Sequence, residues 1–258
     1  MGHFGRRGIK SMKKFLISII SKDQNFSISN NSIQDFLSKY DNSRVIETGD
    51  NTENITIVNN RMIETALSDG YDYLLMLHSD VEIDLIKLCN HIEECENKYD
   101  VMGLCGCEKI SISESPLNWY CGSRNYPQYR WGCVCHGELG NSVSFFSSDR
   151  ADILDHQVSC IDGLCIILSR KSMSSGLRFD EKLKFNCYDT QISFDAQLTY
   201  GLKVGCLVEK ELKHFSVGKS ILEDSFFDEE LILRQRFDFE IPKNSKMEKY
   251  LTTKTKLV

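Results

Sequence analysis

The chain has 258 residues, is 41% hydrophobic and 26% charged, and carries a formal net charge of -6. It is long enough to bury a sizeable core in one large domain or two small ones. Its acidic balance supplies no general basic field for a duplex nucleic acid, and apolar runs such as "FLISII" are far too short to cross a bilayer.

Residues 1–11, "MGHFGRRGIKS", are Gly- and Arg-rich without periodicity and read as an expression scar before Met12. Phe15 to Ile20 predicts a strand. Ile33, Phe36, Leu37 and Tyr40 recur at i, i+3, i+4 and i+7 and predict a helix, with Asn31 or Ser32 available to cap it. A short strand over Arg44–Glu47 follows. Met62, Ile63, Ala66 and Leu67 then mark one face of a helix closed by Gly70. The run "LLMLHSDVEI", residues 74–83, begins as a fully buried strand and ends in a histidine, a serine and two acids, which makes its end a candidate active-site rim. This β-α-β-α-β order predicts an α/β fold, a parallel sheet with helices on its faces.

Leu85, Leu88, Cys89 and Ile92 predict the next helix, and a strand is expected near Val101–Gly106. Between 108 and 158 periodicity breaks down, yet the aromatic content argues against disorder, so loops and short strands over the active face are expected. A strand over "CIDGLCIIL", a turn at "GLRFDEKL", a helix from Asp189 to Tyr200 and a strand at "KVGCLVE" complete a domain spanning 12–220. Residues 221–258 form a C-terminal extension, acidic at first and Lys-rich at its end, with no apolar helical face to seat it in a membrane.

Eleven cysteines without a signal-peptide pattern fit a reducing cytosol, where buried thiols act as small hydrophobes. Cys105/Cys107 and Cys133/Cys135 with His136 form two C-x-C pairs, which miss the C-x(2 to 4)-C spacing of structural zinc sites.

The segments "YDYLLMLHSDVEI", "VSCIDGLCIILSRK", "LRFDEKLKFNCYDTQISFDAQLTYGLKV" and "KHFSVG" together resemble the GT-A glycosyltransferases, in particular a family 2-like bacterial branch associated with capsule and surface glycans. The likeness covers roughly residues 13–218. It implies a GT-A fold, α/β with a Rossmann-like, mixed but mostly parallel sheet and helices on both faces, and transfer of a sugar from a nucleotide-sugar donor, with UDP-sugars favoured, to a glycan or glycoconjugate acceptor. It also implies a Mn²⁺ or Mg²⁺ ion, cytoplasmic placement that extends at most to the inner membrane face, and a role in polysaccharide biosynthesis. By the same resemblance Asp80 and His214 are metal ligands, and His78 replaces the first acid of the usual D-x-D. Asp189 is the base that takes the acceptor's proton and so gives inversion. Asp162 and Gly163 line the donor sugar, Asn60 and Arg61 stand beside the nucleotide, and Trp119 and His136 belong to the sugar or acceptor loop.

Most of these residues have a plainer alternative in the sequence. Asp80 and Asp189 can be helix caps, His78 a hydrogen-bonded core histidine and Gly163 a β-bulge. Glu82 suits the first turn of a helix, Trp119 local packing, and Asn60 and Arg61 a solvated surface. A nucleotidyltransferase, which also uses strand-end acids and a metal, and a catalytically degenerate sugar-binding relative are the other function classes the sequence admits.

Overall fold

The computed structural model describes residues 12–123, 127–136, 142–145, 152–216 and 223–255, so the expectation for residues 1–11 lies outside the described residues. The chain runs through β1 (Phe15–Ile20), α1 (Asn30–Lys39), β2 (Arg44–Thr48), α2 (Ile55–Ser68), β3 (Tyr73–His78), β4 (Val81–Glu82), α3 (Leu85–Glu94), β5 (Val101–Gly103) and β6 (Cys105–Cys107). It continues through α4 (Trp119–Gly122), β7 (Arg130–His136), β8 (Ser142–Phe145), β9 (Asp155–Gln157), β10 (Cys160–Ile161), β11 (Cys165–Ser169), α5 (Arg170–Ser174) and α6 (Tyr188–Phe194). After α6 come β12 (Val204–Leu207), β13 (Lys213–His214), α7 (Asp224–Arg236) and α8 (Lys246–Thr255).

The large sheet has the order β2-β1-β3-β11-β5-β12-β9. β2, β1, β3, β5 and β12 run one way, and β11 and β9 run against them. Period-2 alternation divides its side chains between two cores. Phe15, Ile17, Ile19, Leu75, Leu77 and Ile167 pack against Ile33 and Phe36 of α1 and Leu85 and Leu88 of α3. Leu16, Leu74, Met76, Ile166 and Leu168 face the other way, onto Met62 and Ile63 of α2, Met173 of α5 and Ile192 of α6. The α/β class with a mixed sheet between two helical layers is therefore the one expected.

Local chemistry sets the helix ends. α1 starts earlier than its apolar stripe suggests, because Ser29 is extended and its Oγ accepts from the Ser32 amide; Asn31 and Ser32 lie inside the first turn instead of capping it. Gly70 closes the segment after α2 as expected, with φ +76° and the Tyr71 amide returning to the Ala66 carbonyl.

Two expected strands are each broken. Val101–Gly106 divides at Leu104 into β5 in the large sheet and β6 in a smaller one, and "CIDGLCIIL" divides at 162–164 into β10 and β11 in the same way. The smaller sheet has the order β10-β6-β7-β13-β4, with β8 on β7. The 108–158 region, expected to hold loops and short strands, supplies β7, β8 and β9, of which β7 is seven residues long. The helix expected over 189–200 is α6 followed by a wider π turn over Asp195–Thr199, where the Tyr200 amide bonds the Asp195 carbonyl.

In the extension, Phe226, Phe227, Leu233 and Met247 form a third core with Leu117, Cys187 and Phe194. Arg234 and Glu230 are buried together; the guanidinium donates to Glu230 Oε1 at 2.9 Å and to the carbonyls of Ile112, Glu114 and Glu240. Arg234→Ala leaves a buried carboxylate and three carbonyls without their donor, so urea unfolding should show a loss of about 3–5 kcal/mol, the usual cost of breaking a buried pair. A loss under about 1 kcal/mol, the range of surface pairs, would show that the extension is not clamped through this residue.

Candidate metal and acid–base site

β3 ends at His78, and the chain turns through Ser79 and Asp80 into β4, which pairs antiparallel with β13 so that Val81 lies opposite His214. This crossing brings His78, Asp80 and His214 together, with one ligand atom from each within 4.8 Å of the others. His214 Nε2 is 3.5 Å from Asp80 Oδ2. Burial would raise the Asp80 pKa, but the hydrogen bond and charge of His214 hold it below the usual carboxylate value. Burial opposes charge on His214 as well, and Asp80 outweighs it and raises its pKa. His78 is different: burial dominates and lowers its pKa, so its ring is neutral and can act as a ligand. Two imidazoles and one carboxylate suit Mn²⁺ better than Mg²⁺, and the same donors hold ferrous iron in other proteins. The cap before α3 is Asp84, whose carboxylate accepts from the Ile86 and Lys87 amides at 3.0 Å, so Asp80 does not serve as that cap.

A hydrogen-bond chain fixes His78. The Tyr188 hydroxyl lies 3.1 Å from the Gly163 carbonyl and 2.8 Å from His78 Nε2. A carbonyl can only accept, so the hydroxyl proton points to Gly163 and Nε2–H donates to the oxygen. The Nδ1 lone pair is then available to a cation. The Gly163 amide donates in turn to Asp189 Oδ2 at 3.2 Å, and Thr190 N donates to Asp189 Oδ1 at 2.7 Å. Cys187, in the left-handed region at φ 58°, holds the cap position of α6, so Asp189 lies inside the helix and is not its cap. Burial, then the negative charge of Asp162, raise the Asp189 pKa to about 7 against the two amide hydrogen bonds.

Gly163 leaves room for the Tyr188 hydroxyl: a Cβ there would lie 2.2 Å from its oxygen. Asp162 accepts from the Leu164 amide at 2.7 Å and from the Trp119 indole. Trp119 is only 8% exposed, so it packs in the core and braces Asp162 and does not present a stacking face. His136 lies in β7 opposite His214 in register.

A cleft of about 790 Å³ opens beside the cluster, lined by His78, Ser79 and Asp80 together with 20–23, 51–55, Lys184 and Phe185. Asn60 and Arg61 do not reach it. Asn60 exchanges hydrogen bonds with the Phe179 backbone and donates to Glu181, which ties α2 to the turn before α6, and Arg61 pairs with Glu53 at 2.9 Å in solvent. The cations in the lining are Lys22 and Lys184. Phe185, 44% exposed, lies nearly parallel to the His78 ring at 6.2 Å, with Lys22 Nζ 4.9 Å from its centroid. Its place just ahead of "YD" was the signal for it in the sequence. Glu229 of α7 had no such signal: one of its oxygens accepts from the amides of Lys184, Phe185 and Asn186 at 2.7, 3.1 and 2.9 Å, which holds this lining segment.

No protein-family model and no curated protein sequence matches the chain. Among solved structures it is similar to A197 from STIV, at 15% identity and TM-score 0.40 over 82% of this chain and 98% of that one. It is also similar to GalNAc-T7 solved with UDP, GalNAc and Mn²⁺, at 7% identity and TM-score 0.49 over 88% of this chain and 48% of that one. A third is S. aureus TarS, at 14% identity and TM-score 0.41 over 87% of this chain and 39% of that one. The chain thus spans less than half of the latter two.

Calorimetric titration with Mn²⁺ tests the cluster. Asp80→Ala should abolish binding at this site, and Tyr188→Phe, which frees the His78 ring to rotate, should weaken it about 10- to 100-fold, as loss of a residue that orients a metal ligand usually does. Unchanged affinity in Asp80→Ala would remove the carboxylate from the ligand set.

Proposed function

We propose that the chain is a metal-dependent glycosyltransferase of the GT-A type. It moves a sugar from a nucleotide-sugar donor, a UDP-sugar by preference, to a glycan or related acceptor with inversion. The cluster of His78, Asp80 and His214, whose first two members line a nucleotide-sized cleft and which is joined by hydrogen bonds to a carboxylate with a pKa raised to about 7, carries this assignment. In it, residues 12–220 are the catalytic domain and 221–258 an extension that braces the cleft. Ten of the eleven cysteines, all but Cys121, are free thiols and of these all but Cys135 are buried, which supports cytoplasmic work on bacterial capsule or surface glycans.

His78, Asp80 and His214 would hold the cation, Mn²⁺ before Mg²⁺, which when bound stabilises the charge that develops on the departing diphosphate. Lys22 and Lys184 line the same cleft and supply further positive charge to that leaving group. The exposed Phe185 face is a platform for a base or sugar ring. Asp189 takes the proton from the acceptor hydroxyl. The amides of Gly163 and Thr190 orient its carboxylate, and burial makes it a stronger base than an exposed acid.

A thermal-shift panel of UDP, GDP and CMP, with and without Mn²⁺, Mg²⁺ and Fe²⁺, tests the class, because a ligand that binds the native state raises its melting temperature. A Mn²⁺-dependent shift with UDP is expected; a shift with Fe²⁺ alone and none with any nucleotide would sink the assignment. Release of a nucleoside diphosphate from a nucleotide sugar separates it from nucleotidyl transfer, which releases pyrophosphate.

The base form of Asp189 exists above a pKa of about 7, so kcat/KM should fall as pH drops through that value and level off above it. Asp189→Asn should leave donor affinity intact, lower kcat by about 10² to 10⁴ and flatten this limb of the profile. A variant with near wild-type kcat would exclude Asp189 as the base.

A further inference from the structure

A second group of ligating side chains lies at the C-terminal end of α3, a helix whose ten residues put about 15 Å between it and the Asp80 turn. His91 is in the last turn of α3 and Cys95 is its C-cap, so the two share a face at i, i+4. Asp155 begins the edge strand β9. One ligand atom each from His91, Cys95 and Asp155 lie within 4.8 Å of one another.

Three features distinguish this group from a chance cluster of polar residues. His91 Nδ1 is 2.6 Å from Glu209 Oε1, the carboxylate–imidazole contact that elsewhere fixes the ring of a metal-bound histidine. The other ring nitrogen, Nε2, is buried with no oxygen or nitrogen to bond among the described residues, and the group beside it is the Cys95 thiol. Asp155 is also held in place, its Oδ1 accepting from Tyr99 at 2.8 Å and its Oδ2 from Lys98 at 2.7 Å. A carboxylate offers about four lone-pair positions, and the half-exposed Lys98 can swing into solvent. A recess of about 400 Å³ lined by His91, Leu154, Val208 and Glu209 gives an entry path.

We propose that His91, Cys95 and Asp155 form a zinc-type cation site that fastens the end of α3 to β9. A thiolate, an imidazole and a carboxylate are the ligand types zinc takes, and a fourth tetrahedral position remains for water. Binding would deprotonate the Cys95 thiol and leave Nδ1–H of His91 on Glu209. The competing arrangement is a proton in the cation's place. Burial would lower the His91 pKa, but Cys95 and Glu209 beside it push it up to about 9, so the metal-free ring carries that proton.

Cobalt(II) titration of the full chain separates the two, because a thiolate ligand gives a sulfur-to-cobalt charge-transfer band that the sulfur-free cluster of His78, Asp80 and His214 cannot produce. One equivalent of Co²⁺ should generate the band in the wild type and in Asp80→Ala, but not in Cys95→Ser, and Zn²⁺ should displace it. His91→Gln keeps every sulfur and should weaken cobalt binding at least 10-fold; it decides the matter if Cys95→Ser fails to fold. No band in the wild type, a band that persists in Cys95→Ser, or unchanged affinity in His91→Gln would overturn the site and leave a protonated histidine in its place.

Discussion

The Tyr188 hydroxyl is the joint on which the site's geometry depends. It meets the end of β3 through His78 and the turn between β10 and β11 through the Gly163 carbonyl, while its own backbone begins α6. Three segments distant in sequence are thereby held to one oxygen atom. The arrangement works only because position 163 lacks a side chain, since a methyl group there would overlap that oxygen. Asp189 follows in the next position of the same helix and is tied to the amide of the same glycine. The ring that can bind a cation and the acid that can take a proton are therefore tied to the same glycine, one through its carbonyl and Tyr188, the other through its amide.

The two-sheet architecture explains why these groups meet where they do. β3, β5 and β12 leave the large sheet at their carboxyl ends, and the chain that follows each contributes β4, β6 and β13 to the small one. Side chains at the crossings have lost the hydrophobic alternation of one sheet without being committed to the other. Polar side chains are tolerated there because backbone partners continue on both sides: the His78 amide bonds the Leu164 carbonyl, and the Phe215 amide bonds the Asp80 carbonyl. The carboxyl ends of strands in open α/β sheets are the usual location of a ligand crevice.

Much of the large sheet was legible in the sequence because its central strands stand out as unbroken apolar runs and its helices are long enough to show an apolar stripe. The small sheet was not. β4, β10 and β13 have two residues each, too few to carry a period, and the apolar character of "CIDGLCIIL" runs on across the break at 162–164. At the site, strand-end position and segment resemblance singled out His78, Asp80, His214 and Asp189, and the structure gathers them around one network. Asn60 and Arg61 went elsewhere because a polar pair on a helix satisfies itself with whatever carboxylates and carbonyls the fold brings near, and those came from Glu53, Phe179 and Glu181. For Trp119 the sequence left a sugar loop and local packing open, because a loop tryptophan gives no sign of which way it faces, and it packs.

The contact between Glu229 and the amides of 184–186 has a further electrostatic meaning. Successive backbone N–H groups that converge on one point make a nest, a concavity with a fixed partial positive charge that binds anions. Here the chain fills the nest with its own carboxylate, 5% exposed, so the concavity is closed to any anion that enters the adjoining cleft. The positive charge left facing that cleft then comes from Lys22 and Lys184, flexible side chains that can follow a ligand as it moves, and the rigid dipoles behind them are already neutralised.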